Sequence, residues 1–183
     1  MSTMRSLLIA IAVLNGAACL AEVVPNKDLA RLYAEDQADR AVAPRTIDWS
    51  VVAPRDRARR DSVLAMLQAG EVRCAADCHA AAMIFQRGDT PEHIQLAHSL
   101  AIVASNMDPT NTGSKWLTAA AWDRYLMRRG RPQWYGTPYV LNQKTRRFER
   151  YDVDETVLTD KERSDFGVPS LADAKAREVE FNR

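Results

Sequence analysis

Three side chains with chemical capacity stand together in the stretch "EVRCAADCHAAAMIF": Cys74, Cys78 and His79. A c-type haem is held by two thioethers and by the histidine that follows the second cysteine, ordinarily with two residues between the cysteines. Here the three residues "AAD" intervene, so the haem or thiol-redox interpretation is the weakest of those open. Zinc needs a fourth donor, and no second cluster supplies one, so no metal site and no cofactor are assigned. A disulfide between Cys74 and Cys78, four positions apart near a helix start in a chain with the layout of an export signal, is expected, with a pair of reduced thiols as the evenly weighted alternative.

A second group emerges from where charges fall on helical spacing. Asp36 and Arg40 continue the apolar stripe of Leu29, Leu32 and Tyr33, and Asp56 and Arg60 precede Val63, Leu64 and Leu67 on theirs. Gln86 follows Ala82 and Met83, His98 lies one turn from Ile94 and Ala101, and Asp123 follows Trp116, Ala119 and Ala120. Each of these stripes thus aims a polar group at a common interior. Buried charges are costly unless paired, so the groups are expected to meet. Asp36, Arg40, Asp56, Arg60, Gln86, His98 and Asp123 therefore form a candidate polar pocket. In it Asp36, Asp123 and His98 could handle protons and Arg40 or Arg60 could hold an anion. A closed salt-bridge network that sets helix register is the preferred alternative, because neither a nucleophile nor an oxyanion site can be recognised, and the catalytic residues stay unknown.

The elements that would position these groups are helical. Asn26 is a plausible cap for a first helix that Pro44 ends. "TIDWSVVAP" reads as a connector pinned to the core by Trp49, Val51 and Val52, with a second helix from Pro54 or Arg55 to Gly70. A third helix holds "AADCHAAAMIFQRG", a fourth opens at Thr90 and Pro91, and a fifth runs through "SKWLTAAAWDRYLMRRG" with Ser114 as its cap. Beyond Gly130, "YVLN" and "FERYDV" can pair as a small hairpin, and a helical turn and a last helix follow. The expected fold is mainly α: a single antiparallel helical bundle, or repeat-like helical hairpins, with a small C-terminal β-hairpin.

Bulk properties limit the function classes. The 183 residues carry 25 Lys plus Arg against 24 Asp plus Glu, so no excess positive charge draws the chain to nucleic acid. The first 21 residues have the layout of a signal peptide, Arg5 followed by "LLIAIAVL" and small residues, with residues 22–183 as one helical domain. The apolar run is too short for a transmembrane span. A lipid anchor at Cys19 is an alternative processing route. A periplasmic or secreted location follows.

The strings "KWLTAAAWDRYL" and "GRPQWYGT", with "LYAEDQADR" and "LTDKERSDFGVPSL", resemble a bacterial helical domain family of unknown function. The resemblance covers roughly Leu29 to the C-terminus and implies a mostly helical fold, with no reaction or cofactor. This chain has Gln86, Arg87, Gly88 where that pattern has Gln-His-Gly, and Pro138 where a glutamine follows Gly-Thr. Aromatic residues are common there at the positions of Cys78 and His79. The expected function is an exported helical module that binds an envelope protein or peptide, with a groove of Trp116, Trp122, Trp134 and Tyr135. The alternative is a small-molecule binding protein or hydrolase built on the buried Asp, Arg and His cluster.

Overall fold

The computed structural model describes residues 23–183; the expected leader, its expected cleavage point and Cys19 lie outside the described residues. The molecule is mainly helical, with α1 (Lys27–Ala38), a 3-10 turn (Pro44–Thr46), α2 (Trp49–Gln68), α3 (Ala75–Phe85), α4 (Pro91–Met107) and α5 (Thr112–Arg128). Strands β1 (Tyr139–Leu141) and β2 (Phe148–Arg150) form a two-stranded antiparallel sheet, followed by α6 (Asp160–Asp165) and α7 (Leu171–Phe181). No helix among the described residues is long and apolar enough to cross a membrane.

Local chemistry accounts for the boundaries. The Asn26 side chain accepts the N–H groups of Asp28 and Leu29 and closes the start of α1. That helix stops at Ala38, ahead of Pro44, which instead opens the 3-10 turn. The start of α2 falls at Trp49 rather than at Pro54, because the Asp48 carboxylate caps the Ser50 N–H. Pro54 is tolerated this early in the helix, where its missing N–H removes one bond. Trp49 and Val51 are consequently 56% and 42% exposed and do not pin the segment to the core; Val52 alone of the three is buried. In α5 the cap is Asn111, and Ser114 sits inside the first turn. Gly70 and Gly130 end α2 and α5 in the left-handed region, at φ +68° and +65°.

Helices α3, α4 and α5 pack as consecutive antiparallel neighbours, with α1 and α2 laid on α3. The core between them is Leu29, Leu32, Val63, Ala81, Ile84, Phe85, Ala97, Leu100, Ala101, Leu117 and Ala121. Its alanines let helix axes approach closely, while burial of each of the larger side chains contributes roughly 1.5–3 kcal/mol. Two contacts at the helix starts set the relative directions. The Asn26 N–H donates to the Asp77 carboxylate at 2.8 Å, and His79 Nδ1 lies 3.0 Å from Ser114 Oγ. These bring the N-terminal turns of α1, α3 and α5 together, so their C-terminal ends gather at the opposite end of the bundle.

The C-terminal third is tied down through backbone groups. In the hairpin Tyr139 faces Arg150 and Leu141 faces Phe148. The Asn142 side chain accepts from the N–H groups of Lys144 and Thr145 in the turn. Helix α7 serves the open edge of β2: Asn182 accepts the Phe148 N–H and donates to its carbonyl, and Glu178 accepts the Arg150 N–H.

Candidate functional site

Where α1, α3 and α5 end, their interior stripes turn from apolar to charged. On α1, Leu29 and Leu32 give way to Asp36 and then Arg40 just past the helix; on α5, Leu117 and Ala121 give way to half-buried Arg124, with Arg128 exposed one turn on; Arg87 follows α3. Guanidinium groups suit this end of the bundle, since the unpaired carbonyls of each helix C-terminus carry partial negative charge.

A chain of ion pairs links α1 to α2. Arg40 bridges Asp36, at 2.9 Å, and Asp56; Arg59 joins Asp56, at 3.1 Å, to Asp39; and Arg55 donates to Asp39 from the rim at 2.8 Å. Arg87 approaches Asp36 through Nε at 3.7 Å, beyond hydrogen-bond range. Burial holds the Asp36 carboxyl above the ordinary aspartate range, although Arg87 and Arg40 both oppose the shift. Burial also lowers the pKa of Arg87, with Asp36 the main opposing influence. The three carboxylates Asp36, Asp39 and Asp56 are thus shared among Arg40, Arg55, Arg59 and Arg87.

Arg124 has no such partner. Among the described residues it makes no salt bridge, and its buried Nε and that of Arg87 both lack a hydrogen-bond acceptor. Desolvation pushes its pKa down to about 10, and the charged neighbours acting on it are Arg87, Arg128 and Arg40, which lower it further. The site keeps a route to solvent, with the Arg87 and Arg40 side chains 21% and 13% exposed.

The remaining sequence candidates are engaged elsewhere. Arg60 donates to the Arg87 carbonyl at 3.0 Å and to Asp89 at 2.6 Å, which caps the end of α3. The Gln86 amide is buried against Met83 Sδ. His98 Nδ1 lies 3.0 Å from the Thr118 carbonyl, so that nitrogen carries the hydrogen, and burial lowers the ring's pKa. Asp123 accepts the backbone N–H groups of Trp134, Tyr135 and Thr137 and the Thr137 hydroxyl, at 2.8–3.0 Å. Its carboxyl stands above the ordinary range because burial outweighs these bonds. Asp123 therefore anchors the segment after α5 and has no free lone pair aimed at a substrate. Of the seven candidates, Asp36, Arg40 and Asp56 converge, and Arg60, Gln86, His98 and Asp123 serve separate local structures.

Cys74 and Cys78 are free thiols, which corrects the expected disulfide. Cys74 is the extended N-cap of α3, and the Cys78 N–H closes the first helical turn on its carbonyl. Side chains one turn apart hold their Cβ atoms about 5–6 Å apart. A disulfide needs roughly 3.5–4.5 Å. Cys78 is buried, which raises its pKa, and His79 points to Ser114 with its own pKa lowered by burial. That pair resembles a nucleophile and base, but Ser114 is 0% exposed and out of a substrate's reach.

The expected aromatic groove forms in part: Trp122 meets Trp134 at 5.1 Å and stacks on Tyr125, whereas Tyr135 packs on Phe166 and Trp116 joins no aromatic pair among the described residues. A separate cavity of about 580 Å³ opens between the 3-10 turn, the hairpin and α7, lined by Pro44, Arg45, Tyr139, Phe148 and Phe181. Sequence reading missed Asp39, Arg59, Arg87, Arg124 and Arg163. The spacing of Leu117, Ala121, Arg124 and Arg128 marked Arg124 as inward, but its neighbour Asp123 drew the assignment instead. Arg163, 1% exposed, donates to the Leu158 and Trp134 carbonyls and locks α6 to the segment that Asp123 holds. No family model matches the chain, and the searches of curated proteins and of solved structures return no match.

Proposed function

We propose that this chain is an exported helical binding module of the bacterial cell envelope whose ligand is a small anion, received where α1, α3 and α5 end. The observation that carries the proposal is Arg124: a desolvated guanidinium without a carboxylate partner, flanked by further guanidiniums. An uncompensated cation of this kind costs stability in the free protein, and an arriving anion removes that cost. The leader-like segment supports the envelope location, and the near-equal charge balance supports a small ligand over a polyanion.

Binding is favoured over hydrolysis for a physical reason. Proton transfer near neutrality needs a group that can both give and take a proton. In this site the carboxylates are held in ion pairs, and Arg87 stands where the pattern that the chain resembles has a histidine; a guanidinium takes up no proton there.

A thermal-shift screen of small anionic, neutral and cationic compounds tests the proposal, with wild type beside Arg87→Gln and Arg124→Gln in a non-coordinating buffer. Anions alone are expected to raise the Tm of wild type, and neither variant should respond. Stabilisation by neutral or cationic compounds only, or a response that survives both substitutions, would remove this function. N-terminal sequencing of the mature protein checks export, with cleavage after Ala21 as the expected result.

A further inference from the structure

We infer that the cavity between the 3-10 turn, the hairpin and α7 is a second binding site, and that its ligand is a small aromatic carboxylate, a planar ring bearing one carboxyl group. At about 580 Å³ the cavity has the volume of an ordinary small-molecule site. None of Arg40, Arg87 and Arg124 lines it, so it stands whether or not the helix-end site takes an anion.

The walls are aromatic and held in place before any ligand arrives. Phe181 stands between two other rings, with its centroid 4.9 Å from Tyr139 at 60° and 6.4 Å from Phe148 at 55°. The Tyr139 hydroxyl donates to the Ala174 carbonyl at 2.7 Å, and the Asn182 side chain pairs with the backbone N–H and carbonyl of Phe148 at 2.8 Å each. These bonds fix the rings to α7, yet Phe181 remains 48% exposed toward the opening. A ring that enters beside Phe181 can continue the same tilted packing, the arrangement aromatic pairs prefer. A flexible alkyl chain of equal area would lose more conformational freedom on being ordered there.

The charged side chains on the lining are Arg45, Arg183 and Glu180. None of the three is in a salt bridge among the described residues. Two guanidiniums against one carboxylate attract an anion and repel a cation, which argues against an aromatic cage for an ammonium group. Arg45 lies over the Phe148 ring, 5.6 Å from its centroid, and donates through Nη2 to the Arg146 carbonyl at 2.8 Å. That contact uses one of its five N–H donors and steadies the group without neutralising it. The ring keeps water off one face of the guanidinium, so its attraction for an anion is screened less than in open solvent. A single planar fork matches two oxygens in one plane, which is the geometry of a carboxylate.

Isothermal titration of the purified protein at pH 7.5, in a zwitterionic buffer of low ionic strength, tests this. The probes are 2-naphthoate, its neutral amide 2-naphthamide, octanoate and acetate. 2-Naphthoate is expected to bind at least about tenfold more tightly than the other three. Arg45 is exposed, so Arg45→Gln should stay folded while weakening 2-naphthoate by about tenfold or more. Arg45→Lys, which keeps the charge and loses the planar fork, should weaken it less. Phe181→Leu keeps an apolar side chain on α7, removes the ring, and should weaken 2-naphthoate by about threefold or more. 2-Naphthamide binding as tightly as 2-naphthoate would overturn the anionic ligand, and octanoate doing so would overturn the aromatic one. Affinity for 2-naphthoate unchanged in Arg45→Gln, or no binding of 2-naphthoate at all, would overturn the inference while leaving the helix-end site to its own screen.

Discussion

Replacing Arg124 with methionine is expected to stabilise the free protein, an unusual outcome for a substitution at a partly buried position. The guanidinium's pKa falls from its ordinary value to about 10. At about 1.36 kcal/mol per pH unit, that shift disfavours the charged form in the fold by roughly 3 kcal/mol. The sign follows from linkage. A base whose folded pKa lies below its unfolded one destabilises the fold while both states are charged, and the penalty fades only as pH rises past about 10. At pH 7 the penalty is fully present, and methionine removes it while keeping most of the aliphatic stem's volume. Partial solvent access and lost stem contacts reduce the gain to about 1–2 kcal/mol. That is a rise in Tm of roughly 2–8 °C for a domain of this size. Urea denaturation followed by tryptophan fluorescence, in a buffer free of phosphate and sulfate, provides the measurement. Arg40→Met serves as the contrast: Arg40 is paired with Asp36 and Asp56, so its loss should cost about 3–5 kcal/mol. If Arg124→Met destabilises the protein by more than about 1 kcal/mol, the Arg124 charge is compensated in the fold and the surplus-cation reasoning fails.

Asp123→Asn should cost about 3 kcal/mol, because an amide cannot accept all four of the bonds now made to the carboxylate. The loss should appear in urea melts together with altered fluorescence from Trp134, whose backbone it anchors. Asp36 has a raised carboxyl pKa, so the folded state takes up its proton before the unfolded state does. Wild type should therefore gain stability relative to Asp36→Asn as pH falls through that raised value, and paired melts should show the stability of wild type minus that of Asp36→Asn larger at pH 4.5 than at pH 7. Iodoacetamide at neutral pH should label Cys74 well ahead of Cys78 in the native protein, since Cys78 is buried with a raised pKa, and intact-mass analysis reads the order directly.

Local sequence determined the elements. Asn26, Thr90 and Gly70 mark helix ends because capping and left-handed backbone depend on the residue itself and its immediate neighbours. The apolar spacing of Leu29, Leu32, Ile94, Ala97 and Leu117 located the core faces for the same reason. The hairpin between "YVLN" and "FERYDV" was legible too, as two short β-forming stretches around a turn. Where a boundary moved, as at Trp49, a cap on Asp48 outweighed the expected disruption by Pro54.

Only tertiary structure decided what each inward polar group does. Helical period says that Asp36, His98 and Asp123 all face inward, but not at which height along the bundle, nor which neighbour arrives there first. Asp123 was claimed by the backbone of its own following segment, 11–14 residues on. His98 was claimed by a carbonyl on the next helix. Asp36 met Arg40 just past its own helix and Arg87 at the end of α3 because the N-terminal turns of α1 and α3 are joined at Asp77. The surplus at Arg124 is likewise a property of the assembled end of three helices, since the absence of a counter-charge is a fact about every element around it.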